Sequence, residues 1–177
     1  MWPDDVLKFW FEDLRPDDWF DKNPELDVRI RGRFEALHAQ VLGGLIDIPE
    51  TPKGHLAAII VLDQFSRNLF RGSPAAFAAD PKALALSKRA IERGFDSRLD
   101  KAERQFLYMP FMHSEDPLVQ GRCVELFESL NDPVLVGFAT AHRDIVERFG
   151  RFPHRNAALG RVSTPEEIEF MRQHAGF

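Results

Sequence analysis

The sequence predicts an all-α protein of antiparallel helix pairs, about eight helices in number. Three observations predict it. Capping residues precede prolines at Asn23-Pro24, Thr51-Pro52, Asp80-Pro81, Asp116-Pro117, Asp132-Pro133 and Thr164-Pro165. A side-chain oxygen at such a cap accepts a free N–H of the first turn, and proline just inside loses no bond. Glycines follow helix-like runs at Gly43-Gly44, Gly72, Gly94 and Gly150, where a helix stops easily. The β-branched residues are scattered, with no alternation that would make a strand.

Taken in order, helices are predicted over 3–13, 25–43, 53–71, 81–93, 100–113, 117–129, 133–149 and 165–174. The span 10–24 between the first two is a loop, with Trp10, Phe11, Trp19 and Phe20 as anchors. Helix 25–43 runs from Asn23-Pro24 to the glycine pair, and 53–71 from Thr51-Pro52 to Gly72. Helix 81–93 ends at Gly94-Phe95, which reads as a Schellman stop with its hydrophobic contact. Pro110 lies inside 100–113 and should kink or end it, because it removes a backbone bond. Helix 133–149 stops at Gly150. Thr164-Pro165-Glu166-Glu167 opens the last helix as a capping box. Starts near Lys101, Pro117 and Pro133 are short and evenly spaced, which is compatible with tetratricopeptide-like pairs of about 34 residues. No linker or low-complexity tract divides the chain, so 1–177 reads as one domain.

Composition narrows the function. Net charge is −5, from 23 Lys and Arg against 28 Asp and Glu, which argues against nucleic acid and anionic membranes as partners. The 16 phenylalanines point to an aromatic core. One cysteine, Cys123, excludes an internal disulfide and any Cys-based metal spacing, and fits a reducing compartment. The start MWPDDVLKFWF is acidic where a signal peptide is basic, and no apolar run is long enough to span a bilayer. A cytoplasmic location is expected. Nucleotide-loop, zincin and serine-hydrolase motifs are missing, and His113, Glu115, His142, His154 and Asp63 fit no standard metal spacing. Neither metal nor cofactor is expected.

Three segments carry more than packing. In LAAIIVLDQFSRNLFR (56–71), an apolar front half marks a buried central helix, interrupted by Asp63, Arg67 and Asn68. Asp63 and Arg67 stand at i and i+4 and can pair, as a structural ion pair or as part of a site. In ERQFLYMPFMHSED (103–116), His113, Ser114 and Glu115 follow the Pro110 break, and Ser114 or Asp116 can cap the next helix. Glu103 and Arg104 read as a helix-surface pair. In RFGRFPHRN (148–156), Arg148 complements the C-terminal end of a helix. Phe152-Pro153 is a stiff turn and a candidate cis bond. That turn fixes Arg151, His154, Arg155 and Asn156. Two guanidinium forks suit a carboxylate or phosphate, and suit equally the protein's own Asp63 and Glu115.

With VLKFWF (6–11), WFDKNPELD (19–27), LDQFSRNLFRG (62–72), FLYMPFMHSED (106–116) and HRDIVERFGRFPHRNAALGRVSTPEE (142–167), the chain resembles the bacterial family catalogued as domain of unknown function 924. The resemblance covers almost the whole chain. It implies an all-α, right-handed tetratricopeptide-like array and brings no established activity or catalytic residue. Two departures stand out. Ser66 takes a place where such sequences usually carry proline, so its helix should be less kinked. Met112 stands where an acid is common, which weakens a catalytic reading.

Three functions follow. The first joins a protein- or peptide-binding module, as helical repeats commonly are, to a polar network that fixes the fold. The second is a site for an anionic metabolite built from Asp63, Arg67, Asn68, His113, Arg151, His154, Arg155 and Asn156, as a binder or a hydrolase-type enzyme. His113 and His154 are its proton-transfer candidates, and Glu115 or Asp63 would orient them. The third is the polar network alone. Sequence leaves the partner and the oligomeric state open.

Overall fold

The computed structural model describes residues 1–174. Among them all regular structure is helical, with no strand. The order is α1 (Trp2–Phe11), α2 (Pro24–Gly43), α3 (Pro52–Ile59), a π-helical segment (Ile60–Phe65), α4 (Ser66–Leu69), α5 (Asp80–Glu92), α6 (Lys101–Met112), α7 (Pro117–Glu128), α8 (Pro133–Phe149), α9 (Asn156–Leu159) and α10 (Pro165–Gln173). Asn23, Thr51, Asp116, Asp132 and Thr164 each accept a first-turn N–H, as their positions before proline predict. Asp80 does not cap. Helix α5 starts at Asp80 itself, and its carboxylate takes both Arg67 amino groups at 2.9 and 3.1 Å. A charge-assisted fork is the stronger partner. The Gly94 stop forms as expected, with Phe95 N–H on the Ala90 carbonyl and Gly94 N–H on that of Ile91, both at 2.9 Å.

The chain folds as two compact units, Met1–Arg71 with Ala75–Pro110, and Gly72–Pro74 with the residues from Phe111 onward. In the first unit, the α3–π–α4 run is the central element. Every residue from Leu56 to Ser66 is buried, and α1, α2 and α5 pack against it. The sequence read this run as ordinary helix. The structure inserts a π turn, and side chains serve its carbonyls: Ser66 Oγ donates to Leu62 O at 2.6 Å, and Arg67 Nη1 to Asp63 O at 2.8 Å. His38 Nε2 lies 2.7 Å from Ser66 Oγ. Aromatic rings fill the space beside it, Phe9 on Phe34 at 5.0 Å and Trp10 on Phe65 at 5.7 Å. Each such side chain contributes about 1.5–3 kcal/mol by leaving water.

The loop anchors behave as predicted. Trp19 stacks on Trp10 and donates its indole N–H to the Trp10 carbonyl at 2.8 Å, while Phe20 lies parallel to Phe106. The expected surface pair Glu103–Arg104 is not formed. Glu103 is buried and binds Lys53 and the Asp100 N–H, and Arg104 donates to the Tyr108 hydroxyl. As sequence neighbours on a helix the two side chains point to different faces, and each finds its own partner there.

In the second unit, α7 and α8 are joined by four residues, Ser129–Asp132, and so pack antiparallel. Pro110 does end its helix, since α6 stops two residues later at Met112. The buried Gln120 amide closes that end, donating to Met112 O at 2.7 Å and Ser114 O at 2.6 Å. Among the described residues no helix is long and apolar enough to cross a membrane.

Candidate functional site

Two left-handed glycines shape the region after α8. Gly150 (φ 68°) ends α8, and Gly160 (φ 66°) ends α9. Between them Phe152 is extended and Pro153–Arg155 forms a 3-10 turn. The Phe152-Pro153 bond is trans, so the cis candidate is not realised. The extended Phe152 turns its N–H toward Glu115 and its carbonyl toward Arg161.

Glu115 is the first node of a continuous network. Its Oε1 accepts from Phe152 N at 2.7 Å and from Arg161 Nη2 at 2.9 Å, and its Oε2 from Arg161 Nη1 at 2.8 Å. Arg161 Nε continues to Asn156 Oδ1 at 2.9 Å. The Asn156 amide reaches Ser163 Oγ at 3.0 Å and Glu167 Oε2 at 3.2 Å. Arg151 then forks onto Glu167 at 2.7 and 2.9 Å and donates to Val162 O. Glu167 also accepts the Thr164 N–H at 2.8 Å, which completes the capping box. Burial opposes the charge on Glu115, but the Arg161 fork and the Phe152 N–H outweigh it and hold the carboxyl below the usual range. The Arg151 fork, against the cost of desolvation, holds Glu167 at about 2. Both acids are therefore weak bases at neutral pH.

Beside this network lies a basic aromatic cluster around Phe152, which is fully buried. The Arg155 guanidinium stands 4.7 Å from the Phe152 ring centroid and donates to the His113 carbonyl at 2.8 Å. His142 meets the same ring edge-on at 5.7 Å, His154 lies 5.6 Å away, and His113 is 6.4 Å from His142. Burial pushes His142 down to about 3, so it is neutral, and its Nδ1 donates to Phe138 O at 2.7 Å. His113 is half-buried and His154 exposed.

The structure thus brings Glu115, Arg151, Arg155, Asn156 and the His113 backbone together in the second unit. Arg151 holds Glu167, and the fork on Glu115 comes from Arg161. Arg161 and Glu167 carry the network, and the sequence reading saw the second only as a cap. The available signal was Glu115 itself, a carboxylate that needs a counter-ion, with an arginine directly after the Gly160 stop. Arg148 pairs with Glu166 at 2.7 Å.

Asp63, Arg67 and Asn68 belong to the first unit. Asp63 is buried, accepts from Gln64 Nε2 at 2.6 Å, and lies 3.4 Å from Arg67 Nη1, the i, i+4 pair that the spacing predicts. Asn68 donates to Asp27 at 2.8 Å, where Arg71 also forks. Among the described residues no group of three or more His, Cys, Asp or Glu is placed to hold a metal ion.

The family described as bacterial protein of unknown function (DUF924) matches residues 6–175. The solved structure of a protein of unknown function, ATU0120, from Agrobacterium tumefaciens is similar with a TM-score of 0.90. The two share 41% identity over 97% of each chain. Comparison with curated proteins finds no match.

Proposed function

From the premise that this chain belongs to the bacterial DUF924 family, whose description assigns no activity, we propose that it is a binding module for a protein or peptide partner. In this reading the polar network of the second unit is structural and holds a docking face in shape. The observation that carries it is the contrast between two surfaces of that unit. Glu115, Glu167, Arg151 and Arg161 bind one another, while α8 turns an apolar stripe to solvent. Val134 is 67% and Phe138 51% exposed, and Ala141 and Ile145, half-buried, continue the stripe at helical spacing. An amphipathic helix laying its own apolar stripe there is the partner class that such spacing fits.

Panning a helix-forming peptide library against the full chain tests the proposal. Enriched peptides should lose at least about tenfold in affinity for a Val134→Asp, Phe138→Asp variant, as expected for central apolar anchors. Peptides that bind this variant as tightly as the wild type would show that α8 is not the docking face.

A second reading rests on the Phe152 cluster. Arg155 beside the imidazoles of His113 and His154 is a set of side chains of the kind that recognises a small carboxylate or phosphate. A melting-temperature screen of anionic metabolites separates the readings. Stabilisation of the wild type that disappears in His154→Ala favours the small-molecule site.

A further inference from the structure

We propose that Arg89, Arg93 and His55 in the first unit form a site for the phosphoryl dianion of a phosphate monoester, and that Glu50 fills it when no ligand is bound. All of these residues belong to the first unit, and the site does not depend on the peptide-binding reading. Arg89 and Arg93 stand at i, i+4 at the end of α5, both half-exposed, and both face the Glu50 carboxylate. Arg89 Nη2 is 2.8 Å from Oε1. That contact is an ion pair, and the other two are longer: Arg93 Nε is 3.6 Å and His55 Nε2 4.0 Å from Oε2. His55 is fully buried and packs edge-on against Phe95; the backbone at Pro49 and Thr51 lies beside its ring, but neither ring nitrogen makes a well-aligned hydrogen bond. A buried imidazole without a well-aligned partner is uncommon, and the Nε2 of this one lies 4.0 Å from the oxygen that the planar carboxylate fails to bring close.

A tetrahedral phosphoryl group closes those gaps. It has three terminal oxygens, one for each donor, where the carboxylate has two. Its two negative charges match the two guanidinium groups, whereas Glu50 leaves one in excess. Lys53 nearby is already engaged by Glu103. The backbone around Glu50 is pinned, so only its side chain has to leave. Thr51 N–H donates to Pro49 O at 2.8 Å, and Thr51 Oγ1 caps Gly54 N at 3.0 Å. A Cβ on Gly54 would stand 2.3 Å from Pro49 O, so glycine lets that turn lie against α3. The Glu50 side chain itself is 46% exposed, so solvent can receive it once it leaves Arg89. Burial lowers the His55 pKa and the Glu50 carboxylate opposes it, and in either protonation state the imidazole has an N–H to donate.

The test titrates the full chain with inorganic phosphate at constant ionic strength, with acetate as the competing anion class. Melting temperature and the His55 ring resonances are read together. Glu50→Gln removes the internal occupant and should bind phosphate about tenfold more tightly than the wild type, because the open state no longer has to be released from competition. Adding Arg89→Gln to that variant should abolish the gain, and Arg93→Gln serves as a second variant if the first unfolds. The His55 resonances should shift on saturation. Equal response to acetate, no gain in Glu50→Gln, or His55 resonances that stay still would each overturn the proposal.

Discussion

Glu167 is 2% exposed and charged, with Arg151, Asn156 and the Thr164 N–H as its partners. Its folded pKa of about 2 lies below the ordinary 4.5. The stabilisation it contributes is therefore complete above pH 4.5 and is lost as pH falls from there through about 2. Urea unfolding measured at steps across that window should show the wild type losing stability faster than Glu167→Gln. At pH 7 the substitution should cost roughly 1–2 kcal/mol, since it weakens a charged, hydrogen-bonded contact. Parallel pH profiles for the two proteins would remove Glu167 from the network. Glu115 shifts in the same direction, and burial alone would have pushed it the other way.

At the scale of the element, what was legible in the sequence was local. Asn23, Thr51, Asp132 and Thr164 cap because the oxygen and the N–H it serves are two or three residues apart. The Gly94 and Gly150 stops were readable for the same reason. Asp80 misled because its better partner, Arg67, comes from 13 residues away. The π turn left no trace in an apolar run where every face is buried. Two glycines separate the local effects further. Gly150→Ala places a side chain at φ 68° and should cost about 1 kcal/mol with nothing else disturbed, since no atom lies near its Cβ. Gly54→Ala adds a collision with Pro49 and should cost more. Denaturation of both variants checks the order. Equal losses would mean that the Pro49 turn yields easily.

For the whole molecule, the all-helical class and the family were readable from end to end, whereas the site was readable only as a set of residues in need of partners. RFGRFPHRN showed three arginines and two phenylalanines, but not that Arg161, beyond its end, holds Glu115. Pairings across 46 residues depend on packing, which periodicity does not encode. Cys123 offers a way to follow the second unit as a body. It is fully buried, and burial pushes its thiol up to about 12. Thiol labelling of the native chain should therefore proceed only through opening, orders of magnitude more slowly than in the unfolded chain. Rapid labelling without denaturant would contradict the close packing of α7.

Arg151 and Arg161, both after α8, serve the protein's own carboxylates. A double-mutant cycle on Glu115→Gln and Arg161→Gln, read as unfolding free energy at pH 7, tests it most directly. The structure predicts a coupling of about 1–3 kcal/mol between the two positions. Additivity to within about 0.3 kcal/mol would contradict it and return Glu115 and Arg161 to the pool of groups available to a ligand.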